Sequence, residues 1–196
     1  AVSDKAMQTL IGVTKDMKPW LTTMPSVRIE HASLMTDQMF AEIANSEMNY
    51  ALVTQPIFFF AEDESYRHYL SPAQFKLAYR VKTILNSQAM LGLSSDAPCT
   101  PWAEPDSPFY SIYAAVTRKA ANDDVVNAEE AITVPQAILG YTRDGAKIGG
   151  FDDNGTLEVG KAADFVILND DIFTVPHDDL KNIHVNETWM AGKRVK

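Results

Sequence analysis

Three short predicted strands, separated by segments with helical spacing, constrain the fold of this chain more than any other feature. They occupy residues 26–31, 50–53 and 89–93, and the second is apolar without interruption. A continuous apolar run is typical of a strand whose two faces are both covered. Strands that alternate with helices pair in parallel through right-handed crossovers. The first 145 residues therefore predict an α/β fold with a parallel sheet.

Capping residues mark the predicted helix starts. A side-chain oxygen at the cap accepts a hydrogen bond from a backbone N–H of the first turn, and proline is favoured directly after it. The positions that fit are, in chain order, Asp4, Thr36, Ser71, Ser107 and Thr133. From Ser71 the apolar spacing predicts one continuous helix through Leu85.

From about residue 145 the pattern changes to glycine turns and short β runs. Residues 165–168 and 185–190 are predicted strands, and residues 191–193 a tight turn. We therefore divide the chain into an α/β part, residues 1–145, and a β part, residues 146–196. An open sheet of three parallel strands leaves exposed edges, so we expect further strands upstream of this segment.

Composition excludes several classes of partner. The net charge is −9 and the Lys and Arg residues are dispersed, so no nucleic-acid surface is expected. No apolar run approaches the roughly 20 residues of a membrane span, and residues 1–20 show no signal-peptide pattern. The single cysteine, Cys99, fits a reducing compartment and predicts a cytoplasmic protein. The sequence starts without Met, and we interpret it as a piece of a longer protein.

Chemically active side chains follow each predicted strand. His31 comes after the first strand, Gln55 after the second and Asp96 after the third. In parallel α/β folds such positions share one edge of the sheet, where active sites form. Zinc accepts imidazole and carboxylate ligands, but a catalytic zinc needs about three protein ligands and an open position. His31 and Asp96 are therefore candidate members of an incomplete metal site.

Each candidate also has a structural alternative. A single His on a strand is usually structural, Asp96 is suited to a turn, and Gln55 can simply end a strand. Phe58 either belongs to the core or lies in a pocket-lining loop after the second strand, and Trp102 occupies the next such loop. Aromatic side chains lining a pocket would favour an apolar substrate.

Several ordered motifs resemble those of the amidohydrolase superfamily. They include residues 28–32 (RIEHA), 53–56 (VTQP) and 95–98 (SDAP), and they continue to residues 155–165 (GTLEVGKAADF). Within the superfamily they are similar to amidohydrolase family 3, the group that includes N-substituted formamide deformylases. The resemblance implies the C-terminal part of a (β/α)8 TIM barrel, followed by part of a small composite β-sandwich domain.

The same resemblance implies roles for individual residues. His31 matches the strand-six histidine, which binds metal or contacts the substrate carbonyl. Asp96 matches the strand-eight aspartate, which touches metal and moves the proton of the attacking water. The implied cofactor is a divalent metal, above all zinc, as one or two ions, and the implied substrate is a small-molecule amide or formamide. Gln55, Phe58 and Trp102 are then candidate substrate contacts.

Other motifs of the family are absent from this sequence. The strand-one His-x-His pair, the strand-four ligand and the strand-five histidine do not occur in it. Val27 and Ser94 stand where many relatives show His and Gly. We therefore expect carbon–nitrogen bond hydrolysis only together with the missing N-terminal half. The alternative is a non-catalytic fragment that forms homo-oligomers through its open sheet edges.

Overall fold

The parallel sheet predicted from the sequence is present. The computed structural model describes residues 1–99 and 104–196. The strands of this sheet, in spatial order, are β1 (Val27–Glu30), β2 (Tyr50–Thr54) and β3 (Met90–Leu93). Ile29 pairs with Leu52, and Leu52 with Leu91, in parallel register. The predicted α/β fold is therefore confirmed, and within the described ranges β1 and β3 each keep one unpaired edge.

Helices connect and cover these strands. Their bounds are α1 (Asp4–Thr14), α2 (Asp37–Ala44), α3 (Pro56–Tyr69), α4 (Pro72–Phe75), α5 (Val81–Leu85), α6 (Pro108–Thr117), α7 (Val134–Tyr141) and α8 (Arg143–Gly149). Short 3-10 turns also occur at Ala128–Glu130 and His177–Asn182. Among the described helices, none combines the length and the apolar character that a membrane crossing requires.

The predicted caps account for several of the helix starts. Thr36, Ser71 and Thr133 each accept a hydrogen bond from the backbone N–H three residues further on. At α1 the cap is Ser3, one residue before the predicted Asp4. Each of these hydrogen bonds satisfies a backbone donor that the first turn of a helix leaves unpaired, which is typically worth about 1 kcal/mol. Ser107 precedes α6 as predicted, but its side chain makes no capping hydrogen bond.

The central strand β2 is covered on both faces, as its apolar run predicts. All five of its residues are buried. Leu52 belongs to the main core, which it shares with residues of α1, α2 and α6. Ala51 and Val53 belong to a second cluster with Ile148 of α8. Helices on both sides of the sheet therefore exclude water from β2.

The continuous helix predicted from Ser71 to Leu85 is wrong, because α4 and α5 are separate. Between them the backbone of Tyr79 takes a left-handed conformation, with φ at 52°. Its N–H donates to the carbonyl of Ser33 at 2.9 Å. Ala78 forms an isolated antiparallel bridge with Leu34. Pairing with a distant segment therefore overrides a spacing that is locally helical.

The β part contains the predicted strands in an antiparallel sheet. Its order is β4 (Phe165–Leu168), β5 (Val185–Met190) and β6 (Lys193–Arg194). The segment before β5 belongs to the main core, since Ile172, Leu180 and Ile183 are buried in it. Helix α8 runs across position 145, and the boundary proposed there stays a prediction.

Gly92 of β3 lies where α8 packs on the sheet, and this position has no room for a side chain. An added Cβ would lie 2.9 Å from Cδ1 of Ile148 and 3.1 Å from Cγ2 of Val53. Overpacking of this kind costs about 1–3 kcal/mol, so Gly92→Ala should lower the free energy of unfolding by that amount.

The matched control is Gly12→Ala on α1, where an added Cβ meets nothing within 4 Å. Alanine should stabilise that helix by about 1 kcal/mol. Urea unfolding of the two variants measures both effects. A Gly92→Ala protein as stable as the unsubstituted chain would contradict the close packing of α8 on β3.

Candidate functional site

The carboxyl edge of the parallel sheet brings the sequence-predicted residues to one side of the molecule. The strands β1, β2 and β3 end at Glu30, Thr54 and Leu93. Because they are parallel, the segments that follow leave the sheet at the same edge. Neighbouring strands lie about 4.8 Å apart, so the ends of β1 and β3 are separated by roughly 10 Å. His31 and Asp96 therefore flank Gln55 along this edge.

His31 leaves β1 in an unusual backbone conformation. Side chains along a strand point alternately to its two faces. Because β1 ends at Glu30, this alternation does not decide the direction of the His31 imidazole. His31 and Ala32 both have positive φ, at 71° and 44°. The imidazole is half-buried, and its centre lies 6.0 Å from the ring centre of Phe58. It has no hydrogen-bond partner among the described residues, which leaves its nitrogens available to a ligand.

Asp96 begins a tight turn and is half-buried. Its backbone also has positive φ, at 55°, and its carbonyl accepts a hydrogen bond from the N–H of Cys99 at 2.8 Å. The turn expected as the structural alternative is therefore present. Asp tolerates this conformation better than most residues do. Within the described residues its carboxylate has no ion pair or hydrogen bond, so the turn does not occupy the functional group.

Gln55 ties the ends of two strands together. Its side chain is only 2% exposed, and its Nε2 donates to Oγ of Ser94 at 2.8 Å. The N–H of Ser94 donates to the carbonyl of Thr54 at 3.1 Å, which extends the β2–β3 ladder. The Oε1 atom of Gln55 is buried and has no partner among the described residues. Ser94 was noted in the sequence only as a departure from relatives, and its bond to Gln55 could not be read from the pattern.

Phe58 lies in a helix rather than in the loop that was one of its two alternatives, and its side chain packs against the main core. Helix α3 begins at Pro56, directly after β2, with Gln55 at the cap position. Proline suits the first helical position because its missing N–H would be unpaired there in any case. Phe58 is half-buried in the first turn, against His31. Trp102, the other aromatic candidate, lies outside the described residues.

The donor set of this edge fits part of a metal site. Among residues 1–99 and 104–196, no group of three or more His, Cys, Asp or Glu side chains is placed to hold a metal ion. His31 and Asp96 provide two donors of the type that zinc accepts, whereas a catalytic zinc takes about three protein ligands. Further ligands would have to come from outside the described residues.

A large groove lies elsewhere in the described structure. It has a volume of about 710 Å³ between helices α7 and α8 and strands β4 and β5. Its lining is mostly apolar and includes Tyr141, Phe151, Phe165 and Trp189, with Asp164 as the acidic residue. Catalysis of hydrolysis needs acid–base or nucleophilic groups, which are concentrated instead at the carboxyl edge of the sheet.

Comparisons with known proteins identify the class to which this α/β fold and strand-end site belong. The model of the Amidohydrolase family matches residues 3–196. The chain therefore belongs to the Amidohydrolase family, as the motifs at His31 and Asp96 suggest.

Individual relatives are much longer than this chain. It is 26% identical over 168 residues to N-substituted formamide deformylase of Arthrobacter pascens, which covers 85% of this chain and 30% of the relative. The crystal structure of an uncharacterized metal-dependent hydrolase from Pyrococcus horikoshii OT3 superposes with a TM-score of 0.72 at 28% identity, covering 91% of this chain and 34% of that one. The chain thus spans about a third of the length of these proteins.

A more distant structure shows the shared fold alone. An adenosine deaminase from Xanthomonas campestris, solved with bound zinc, superposes with a TM-score of 0.58 at 20% identity. It covers 88% of this chain and 37% of the deaminase. The fold of residues 1–99 and 104–196 therefore occurs within larger proteins.

Proposed function

We propose that this chain is the C-terminal portion of a metal-dependent hydrolase that cleaves a non-peptide carbon–nitrogen bond, in an amide or a formamide. The observation that carries the proposal is the position of His31 and Asp96 at the same carboxyl edge of a parallel sheet. The names of the similar proteins, a formamide deformylase and a metal-dependent hydrolase, support both parts of it.

The proposal includes the architecture of the whole protein. We assign β1 to β3 to the last strands of a (β/α)8 barrel and β4 to β6 to part of a β-sandwich domain. The unpaired edges of β1 and β3 support this assignment, since a closed barrel would pair both of them. We also assign the protein to the cytoplasm, because the Cys99 thiol is exposed and a reducing compartment would keep it free.

His31 and Asp96 are proposed as two ligands of one or two divalent ions, zinc in the first instance. When bound, such an ion acidifies water and polarises the carbonyl oxygen of a substrate. The carboxylate of Asp96 takes up the proton of the attacking water and later delivers it to the leaving nitrogen. The imidazole of His31 offers a neutral nitrogen to the ion or contacts the substrate carbonyl.

The substrate contacts proposed at this edge are Gln55, Phe58 and Trp102. Phe58 lies beside His31, so its ring can form an apolar wall next to the reacting carbonyl. Gln55 holds β2 and β3 in register through Ser94, and its unpartnered oxygen can accept a hydrogen bond from a substrate amide if the ends of the strands open slightly.

An exposed apolar surface supports the rest of the same polypeptide as the partner of this chain. Phe151, Leu157, Val166 and Met190 are exposed along the β part and the adjoining groove. Large exposed apolar patches mark surfaces that another chain or segment covers. Because the similar proteins are about three times as long, we assign this surface to contacts with the rest of the same protein.

Removal of metal tests the proposed reaction. The protein encoded by the complete reading frame should hydrolyse members of a panel of N-substituted formamides and small amides. Dialysis against a chelator should abolish turnover, because the ion supplies the acidified water, and zinc should restore it. Hydrolysis at an undiminished rate after metal is shown to be absent would contradict the proposal. The 196-residue chain alone should show no turnover.

The second candidate is a non-catalytic fragment that self-associates through the free edges of β1 and β3. Exposed edges template pairing with another copy, which favours this alternative when the chain is alone. Sedimentation of the 196-residue chain, with and without the remaining portion, separates the two. A homo-oligomer that persists when the remaining portion is added favours the fragment, and a one-to-one complex favours the hydrolase.

A further inference from the structure

The loop after β1 begins with two consecutive residues in a conformation that costs free energy. His31 and Ala32 both have positive φ, although neither is glycine. An L-residue in this region brings its Cβ close to the backbone, so the surrounding structure must impose the conformation. Ala32 is fully buried, as is Ser33 after it.

The contacts that hold this turn come from the segment between α4 and α5. The N–H of Tyr79 donates to the carbonyl of Ser33 at 2.9 Å, and the N–H of Met35 donates to the carbonyl of Leu77 at 3.3 Å. Arg80 adds a hydrogen bond to the carbonyl of Met35 at 3.2 Å. These bonds fix residues 33–35 against residues 77–80, directly after the turn at His31.

The side chain of Tyr79 extends the same link to α3. It is 1% exposed, and its hydroxyl lies 2.7 Å from the hydroxyl of Tyr66 on that helix. Burial raises the pKa of Tyr79 well above its usual value, so the phenol stays protonated at neutral pH and can donate. Helix α3 is kinked at Glu62, and the ring of Tyr79 also packs on that of Phe59 before the kink, at 5.5 Å. Phe58, whose ring contacts His31, is the residue before Phe59.

We propose that Tyr79 is a positioning residue that fixes the orientation of His31. Its backbone and hydroxyl join the loop after β1, through Ser33, to the helix after β2, through Tyr66. The imidazole lies between the turn at residues 31–32 and the first turn of α3. Tyr79 thereby holds these two elements at a constant distance from each other. The functional meaning rests on the proposed role of His31 in the active site, whereas the link itself is a property of the fold.

The test is Tyr79→Phe in the 196-residue chain, followed by the imidazole signals in a proton–nitrogen NMR spectrum. Phenylalanine keeps the ring and removes only the hydroxyl. The chain has four histidines, and the His31 signals are assigned by their loss in His31→Gln. In Tyr79→Phe they should shift or broaden, because the distance to the Phe58 ring is no longer fixed, while the signals of His177 and His184 stay in place.

The matched control is Tyr69→Phe, also a loss of one phenol oxygen. Tyr69 is 80% exposed at the end of α3, and its ring lies 4.7 Å from that of His68. This variant should move the signals of His68 and leave those of His31 unchanged. It therefore separates a specific effect of Tyr79 from a general effect of losing a tyrosine hydroxyl.

Unchanged His31 signals in a folded Tyr79→Phe protein, even with a lower melting temperature, would overturn the proposal and leave Tyr79 with a purely structural role. If that variant does not fold, Tyr66→Phe removes the other end of the hydroxyl contact and is judged by the same criterion. The spectra need neither metal nor substrate. A hydrolase that proves inactive would thus refute the proposed function without affecting this result.

Discussion

Asp96→Asn in the full-length protein should lower kcat by about 10²–10⁴-fold, the range by which a positioned acid–base group accelerates a reaction. Asparagine has nearly the same shape as aspartate but cannot accept the proton of the attacking water. Hydrolysis of the best substrate of the formamide and amide panel, measured at saturating concentration, gives the effect directly.

The structure predicts that this substitution leaves the fold intact. Asp96 has positive φ, and Asn adopts that conformation at least as readily as Asp does. Its carboxylate makes no ion pair with another described residue, so the free energy of unfolding should change by less than about 0.5 kcal/mol. The control is Asp106→Asn, an exposed carboxylate ten positions later, which should leave kcat unchanged. Full turnover by a folded Asp96→Asn enzyme would refute the proposed role.

Glu130→Ala should lower the free energy of unfolding by about 3–5 kcal/mol, because two charge-assisted hydrogen bonds from Thr83 are lost and a buried cation loses its compensating charge. Glu130 is 5% exposed in the 3-10 turn before α7. It accepts hydrogen bonds from the N–H and the hydroxyl of Thr83, at 2.8 and 2.5 Å, in the first turn of α5. Its carboxylate also lies 3.5 Å from Nε of Arg80.

A second buried cation depends on the same carboxylate. Arg118 is fully buried above the ring of Phe59, and two of its guanidinium nitrogens have no hydrogen-bond partner among the described residues. Burial lowers the pKa of Arg118 to about 10, while the charges of Glu130 and, less strongly, Glu129 act in the opposite direction. The guanidinium stays protonated at neutral pH, so removal of Glu130 leaves its positive charge less compensated.

Urea unfolding at neutral pH measures this effect. Glu129→Ala is the matched control, because it removes the neighbouring exposed carboxylate, whose smaller effect on Arg118 is screened by solvent. Glu130→Gln should fall between the two, since its amide oxygen can still accept from Thr83 but carries no charge. Equal losses in Glu129→Ala and Glu130→Ala would show that burial at this position has no special importance.

The extent to which sequence alone predicts this protein varies from element to element. The cap at Thr36 and the buried run at residues 50–53 are correct because both depend on interactions within a few residues. The helix break at Tyr79 was missed, because it arises from a hydrogen bond to Ser33, 46 positions earlier. The start of α3 at Pro56 was missed for a different reason, since proline after a strand is compatible both with a loop and with a first helical turn.

The order of the elements, the parallel arrangement of the strands and the placement of His31 and Asp96 after them follow from the sequence by itself. Apolar periodicity and capping are local, and parallel strands can be connected in few ways. Only the tertiary structure decided the backbone conformation of His31, the bond between Gln55 and Ser94, and the burial of Arg118 near Glu130. Each of these depends on which distant segments come into contact, and no local pattern of residues records such contacts.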